Sequence, residues 1–330
     1  MAAEHARQDD SPIHVDAPGM TAAAPRVSVL MTAYNRERFV GEAIASVLAQ
    51  TYADFELVIV DDRSNDGTAA IAQEFARRDA RVRVVANEQN LGDYPNRNRA
   101  ASLASGELLK YHDSDDVMYP HCLEVLVSAL DRFPEAGFAL TRGNHWPGGA
   151  APMLSTPRLS YQREYLGSGM FGCGPAGALF RRSAFEALGG FEEAGAASDY
   201  LFWMRACLQM PVVLAPGDLF YYRIHPNQEL RSPGASHAHA RAAARGWEIL
   251  SSPDCPLRDD ERNIARRNHA ARVARQALWD VRDGDPGLAF YRLTHAGLTL
   301  IDWLVYLRRP RRTAFAGTPL VAAEAASQRP

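Results

Sequence analysis

Cysteine is scarce in this sequence. Cys122, Cys173, Cys207 and Cys255 are widely spaced and form no Cys-x-x-Cys pair. That excludes a zinc signature and fits a reduced, cytoplasmic chain. No apolar stretch reaches the roughly 18 residues a spanning helix needs. The N-terminal residues carry Glu4, Arg7, Asp9, Asp10 and Asp16 where a secretory leader would be apolar. Neither charge dominates: the net charge of -3 argues against a protein that holds nucleic acid through a broad basic field. A Gly-x-Gly-x-x-Gly turn after the first strand and a Walker A loop are both missing, so any phosphate must be met by metal and basic side chains. No internal repeat is visible.

What is present is an ordinary globular composition, 47% hydrophobic and 23% charged over 330 residues, enough for one large domain with an appendage. Residues 1–25, rich in Ala, Pro, Asp and His, read as a mobile tail. Residues 27–33, 55–60, 82–86 and 107–111 read as buried strands. Between them, helical spacing begins at Phe39, at a turn-rich segment ending near Thr68, and at about Asn96. Strands alternating with helices indicate a mostly parallel α/β sheet with right-handed crossovers. A helix over 121–132 and a strand over 138–141 follow. Residues 143–160, rich in Gly and Pro, read as a long loop. A glycine-rich stretch to Gly177, a short strand over 178–181 and a turn at Gly189 and Gly190 come next. Ser198 and Asp199 open a helix carrying Tyr200, Phe202, Trp203 and Leu208. Residues 219–224 read as a strand, and helices run from about Ala238 to Leu307.

Residues 108–120 concentrate the chemistry. A strand runs into Asp113, Asp115 and Asp116, and three carboxylates this close repel one another unless something positive sits among them. A hard divalent cation, Mg²⁺ or Mn²⁺, wants such oxygen ligands and keeps positions open for phosphate. The alternative is a solvated acidic turn capping the helix after Pro120, and both readings stand at this point. Asp62, just past a buried strand end, is an acceptor that can take the ring N–H of uracil, thymine or guanine, with Tyr34 stacking on the base. Its alternative role is to cap a helix, as Asp66 is expected to do. Asp199 is placed as a general base, although an acid in a first helical turn also favours the dipole. Arg97 and Arg223 are candidate phosphate or base contacts. His225 is a candidate metal ligand or phosphate donor, or a structural histidine.

Taken in order, these segments resemble the family 2 glycosyltransferases, inverting enzymes of the GT-A fold. The matches are residues 27–35, residues 55–68, Asn90 with Gly92, Arg97 with Asn98, and residues 105–107. They continue through Asp113 to Asp116, residues 181–191, Asp199 with Trp203, and residues 222–227. The resemblance covers about 26 to 230. It implies that Asp62 and Tyr34 hold the base, with Thr32, Ser114 and Arg97 beside the nucleotide sugar. Asp113 and Asp115 would be the Asp-x-Asp motif at ribose and metal, and Arg223 or His225 would lie near the diphosphate. Asp199 would be the catalytic base.

Two features depart from the family pattern. Ser198 stands where the family often has an acid, and the Gln-x-x-Arg-Trp motif of processive members is missing, which implies transfer of a single sugar. The expected organisation is a GT-A type domain over 26–237 and a helical extension over 238–330. The expected reaction is metal-dependent inverting transfer from a UDP-sugar to a hydroxyl of a glycan, lipid-linked or protein acceptor in surface glycan assembly. A Mg²⁺-dependent nucleotidyltransferase and a catalytically silent glycan-binding protein are the alternatives. Near the C-terminus, Leu298, Leu300, Ile301, Trp303, Leu304, Val305 and Leu307 precede Arg308, Arg309, Arg311 and Arg312. Too short to span a bilayer, this run either packs on the catalytic domain or lies on the anionic inner membrane surface.

Overall fold

The structure, a computed structural model, describes residues 24–141, 152–226, 228 and 234–306. The N-terminal tail to residue 23 and the arginines from Arg308 onward lie outside the described residues.

The strands β1 (Val27–Ala33), β2 (Phe55–Asp61), β3 (Val82–Ala86) and β4 (Leu108–Tyr111) lie parallel in the order β3-β2-β1-β4. Side chains alternate across a strand, so β1 feeds two cores. Val27, Val29 and Met31 pack with α1 (Val40–Leu48) and α4 (Cys122–Asp131), while Leu30 packs on the side of α3 (Asp93–Leu103). Burial on both faces is why residues 29–31 of β1 and 57–60 of β2 read as unbroken apolar runs. Helix α2 (Thr68–Arg78) covers β2 and β3 through Ile71, Ala72 and Phe75.

Beyond β4 the direction changes. β8 (Ala178–Arg181) is antiparallel to β4 and to β6 (Phe138–Thr141); β9 (Val212–Ala215) is parallel to β6; β7 (Met153–Ser155) closes the edge antiparallel to β9. The sheet is therefore mixed, with four of its seven pairings parallel among the described residues. A separate ribbon pairs β5 (Val117–Met118) with β10 (Phe220–Tyr221), so the strand expected over 219–224 is shorter.

Three other differences have local causes. α3 starts at Asp93, before the expected Asn96, because Pro95 sits in the first turn, where a missing N–H breaks no helical bond. The expected loop over 143–160 contains β7 and α5 (Pro157–Tyr165), which starts with Thr156 accepting from the Leu159 N–H and Pro157 in its first turn. β9, fully buried, had no counterpart among the strands expected from the sequence.

The chain continues through α6 (Arg182–Ala187) and α7 (Ser198–Gln209) to α8 (Ala235–Ser251), α9 (Asp259–Arg282), α10 (Pro286–His295) and α11 (Leu300–Tyr306). α8 gives Ala238, Ala242, Ile249 and Leu250 to the core that holds Phe202 and Trp203. Glu261 of α9 accepts from Arg158 and Gln162 of α5, each at 2.7 Å. The C-terminal helices are thus built onto the sheet domain, and the expected boundary at 237/238 falls inside the first turn of α8.

Candidate active site

The carboxyl ends of β1, β2 and β4 meet at one edge of the sheet, where ligands bind in open α/β folds. Pairing of Ala33 with Asp61 sets Tyr34 beside Asp62. The loops after β1 and β2 are tied to each other: the Asn35 N–H donates to Ser64 Oγ at 2.9 Å and the Asn65 N–H to Asn35 Oδ1 at 3.0 Å. Asn35 and Arg63 hold left-handed backbone, φ 53° and 61°, a strain that concentrates at functional sites.

A cavity of about 670 Å³ opens here, lined by Thr32, Tyr34, Asp62, Arg97, Asp113, Ser114, Asp115 and Asp199, among others. Eight of the expected site residues therefore share one cavity. Arg223 and His225 are not in its wall, although His225 reaches Asp115.

The three acids after β4 avoid mutual repulsion in three ways. Asp113 accepts from Arg97 Nη2 at 2.8 Å, while Arg97 Nε bonds Asp93 at 2.8 Å. Burial resists ionisation of Asp113, but the Arg97 charge outweighs it and holds the carboxyl below its usual range. Asp115 Oδ2 accepts from Arg36 Nε at 2.9 Å and faces His225 Nε2 at 2.9 Å. Asp116 is buried, and burial together with Asp113 and Asp115 raises its carboxyl to about 8, so it keeps its proton at neutral pH. The solvated-turn alternative fails, because α4 has His121 at its N-cap and no side-chain capping bond.

Asp62 is buried at the cavity wall. Its carboxylate accepts from Asn87 Nδ2 at 2.6 Å and from the N–H groups of Leu91 and Gly92 at 2.8 and 2.9 Å. A carboxylate has about four acceptor directions, so about one is left for a base. Neither Asp62 nor Asp66 is the N-cap of α2, which is Gly67; Asp66, one residue earlier, accepts from the Thr68 N–H at 3.0 Å. Tyr34 is 46% exposed and offers an open ring face. Arg97 Nη1 is buried with no hydrogen-bond partner in the structure, a donor for which a ligand at this wall would provide an acceptor.

Asp199 sits in the first turn of α7. Burial pushes its carboxyl up to about 7, with Asp93 and Asp113 adding to the rise and the Tyr200 N–H and the Arg97 charge opposing it. Ser198 does not cap the helix; its hydroxyl donates to Gly195 O and accepts from the Ala194 N–H, closing the preceding turn.

The three groups expected to ligate a cation do not converge: no cluster of three or more His, Cys, Asp or Glu side chains suited to a metal occurs among the described residues. Asp113 pairs with Arg97 and Asp115 with Arg36, and of the three expected groups Asp115 and His225 are in direct contact. Their 2.9 Å separation suits two adjacent ligands on an octahedral ion at about 2.1 Å, which would stand about 3.0 Å apart. Mg²⁺ and Mn²⁺ commonly take few protein ligands and complete their shell with phosphate and water, so the pair fits. Arg223, expected near the diphosphate, donates to Asp115 O and Glu42, its N–H holds Asp116, and its guanidinium lies over Phe39.

Sequence reasoning missed three contributors. Arg36 partners Asp115, His239 of α8 lines the cavity, and Glu164 organises the glycine-rich segment that includes Phe171 of the cavity wall. Buried Glu164 accepts from the N–H groups of Met170 and Phe171, from the Tyr200 hydroxyl and from Arg272 Nη1 of α9. It thereby fixes the glycine-rich wall and the residue after Asp199 at once. The position of Arg36 two residues after Tyr34 was a usable signal; Glu164 and His239 had none.

Comparisons with known proteins agree with this geometry. Residues 28–189 match the family described as Glycosyl transferase family 2. Over 111 residues the chain is 37% identical to the putative glycosyltransferase EpsE of Bacillus subtilis, covering 33% of this chain and 40% of that protein. Over 104 residues it is 39% identical to the UDP-Glc:alpha-D-GlcNAc-diphosphoundecaprenol beta-1,3-glucosyltransferase WfgD of Escherichia coli, covering 32% and 40%. The chain thus spans no more than about two fifths of these curated relatives' length. Among solved structures, the 1–349 fragment of S. aureus TarS in complex with UDP-GlcNAc superposes with a TM-score of 0.57 at 21% identity, covering 86% of this chain and 79% of that one. Mannosyltransferase PcManGT from Pyrobaculum calidifontis, in complex with GDP-Man and Mn²⁺, gives 0.50 at 19% identity, covering 90% of each. At these identities the likeness is one of fold.

The architecture is a GT-A-like fold. Residues 28–189 form a family 2 glycosyltransferase domain.

Proposed function

We propose that the protein moves one sugar from a nucleoside diphosphate sugar, with UDP-sugars favoured, to an acceptor hydroxyl with inversion, in assembly of a bacterial surface glycan. The observation that carries this reading is Asp199: a carboxyl held near pH 7 by burial, on the same cavity as Asp113, Asp115 and Arg97. The UDP and UDP-GlcNAc complexes of TarS and the UDP-Glc donor in the name of WfgD support the donor class. The diphosphoundecaprenol acceptor in the name of WfgD supports the pathway class and admits a lipid-linked acceptor.

In this reading residues 26–237 are the catalytic unit, braced by the helices from 238. Tyr34 stacks on the base and the remaining acceptor direction of Asp62 takes its ring N–H. Thr32 and Ser114 border the nucleotide, Asp113 accepts from ribose, and Arg97 Nη1 donates to the nucleotide. Asp115 and His225 would hold Mg²⁺ or Mn²⁺, whose chemistry when bound is to offset charge on the departing diphosphate. Arg223 acts by holding Asp115 and Asp116 in place. Asp199 takes the proton of the acceptor hydroxyl as its oxygen bonds to the anomeric carbon. The bond from that carbon to the diphosphate oxygen breaks in the same step, and the diphosphate leaves with the electron pair. One displacement inverts the centre, so one base suffices.

The test compares donor binding with turnover. Calorimetry with UDP and Mn²⁺ on the wild type and Asp199→Asn should give similar affinities, while release of UDP from a UDP-sugar falls about 10²–10⁴-fold in the variant. Equal turnover in the two proteins removes Asp199 from the role.

A further inference from the structure

Helix α11 packs with its polarity reversed. Asp302, Trp303 and Tyr306 are half-buried on its protein side, and Tyr306 meets Trp247 of α8 edge-on, with ring centroids 5.6 Å apart. Leu300, Ile301, Leu304 and Val305 face outward, 81%, 71%, 65% and 54% exposed. At about 100° per residue these four positions fall within about 140° of the helix circumference, one uninterrupted face. A helix held only by its own domain would turn such a face inward. Leu278 and Trp279 of α9 and Phe290 of α10 are exposed as well.

The charge next to α11 in the chain indicates the occupant. Arg308, Arg309, Arg311 and Arg312 come within six residues of the end of α11, and no acid occurs after them until Glu324. We propose that the outward face of α11 docks on an anionic lipid bilayer with its aliphatic side chains at the acyl boundary, the positive charge that follows α11 in the sequence favouring an anionic surface. No helix among the described residues is long and apolar enough to cross a membrane, so this is contact with a surface. A second copy of the chain fits less well. A two-fold dimer would set the same patch against itself and double the positive charge that follows α11 in the sequence. The proposal goes beyond the transfer reaction and does not depend on it.

Flotation of the full chain with vesicles tests it, without any measurement of activity. The protein should rise with vesicles of phosphatidylcholine and phosphatidylglycerol in equal parts, less with phosphatidylcholine alone, and less in high salt. The double variant Ile301→Ser/Leu304→Ser should lose about tenfold or more in partitioning. Its circular dichroism and Tm should stay unchanged, since both side chains face solvent. Replacing the four arginines by glutamine should remove the preference for anionic vesicles. Absence of wild-type protein from the floated fraction, equal partitioning of the double variant, or a dimer in sedimentation that the double variant abolishes while vesicles are ignored would each overturn the proposal.

Discussion

Replacing Asp199 by asparagine probes one group through two independent readouts. The substitution keeps shape and removes the titrating proton. Because the carboxyl titrates at about 7, about a tenth of the wild-type enzyme carries the basic form at pH 6 and about nine tenths at pH 8. The kcat/KM of the wild type should therefore rise nearly tenfold over that interval. In Asp199→Asn the rate falls about 10²–10⁴-fold and its pH dependence in this range disappears. Stability moves the other way. The folded carboxyl binds its proton more tightly than the unfolded one, whose usual value is 3.8. The stability this contributes is present below that value and is lost as pH rises through 7. The loss amounts to at most about 4 kcal/mol, and the asparagine variant escapes it. Thermal melts should put Asp199→Asn several degrees above wild type at pH 8, with the gap closing towards pH 4. A flat wild-type rate profile from pH 6 to 8, or a variant less stable than wild type at pH 8, would refute the reasoning.

Asp115→Asn, or an excess of chelator, should abolish transfer and weaken donor binding by about tenfold or more in calorimetry, because the Asp115 and His225 pair is the candidate cation site. UDP should bind more tightly than ADP or CDP in the same assay, since Asp62 can only accept; tighter binding of ADP would remove Asp62 from base recognition. Glu164→Gln weakens a carboxylate that accepts from Met170, Phe171, Tyr200 and Arg272. It should raise the acceptor KM and shift the pH profile while leaving UDP affinity unchanged, with Glu164→Ala more severe and less stable by about 1–3 kcal/mol in denaturant melts.

The parts legible in the sequence were those whose signal is local. β1, β2 and β4 are mostly apolar strands that end just before Tyr34, Asp62 and Asp113, and the order of those ends carried the family resemblance. Asp199 was legible from its place ahead of an aromatic helix. Partnerships across the chain were not. Arg36 meets Asp115 at a separation of 79 residues and Glu164 meets Arg272 at 108, distances no periodicity spans. The acids after β4 had no visible counter-charge in sequence, yet folding supplies Arg97, Arg36 and a retained proton on Asp116. Composition misled at residues 153–165, where glycine and proline nearby suggested a loop although Thr156 and Pro157 mark a helix start. The reversal of strand direction at β8 depends on how the glycine-rich segment crosses the cavity wall, which no strand pattern encodes.

The central claim is a single displacement at the anomeric carbon promoted by Asp199, and the slow hydrolysis of a donor sugar tests it without knowledge of the acceptor. With UDP-glucose or UDP-GlcNAc and Mn²⁺, early proton NMR spectra should show the β-anomer of the free sugar forming first. That signal should be lost in Asp199→Asn, with UDP binding retained. First appearance of the α-anomer, or hydrolysis at the same rate in the variant, would contradict the account.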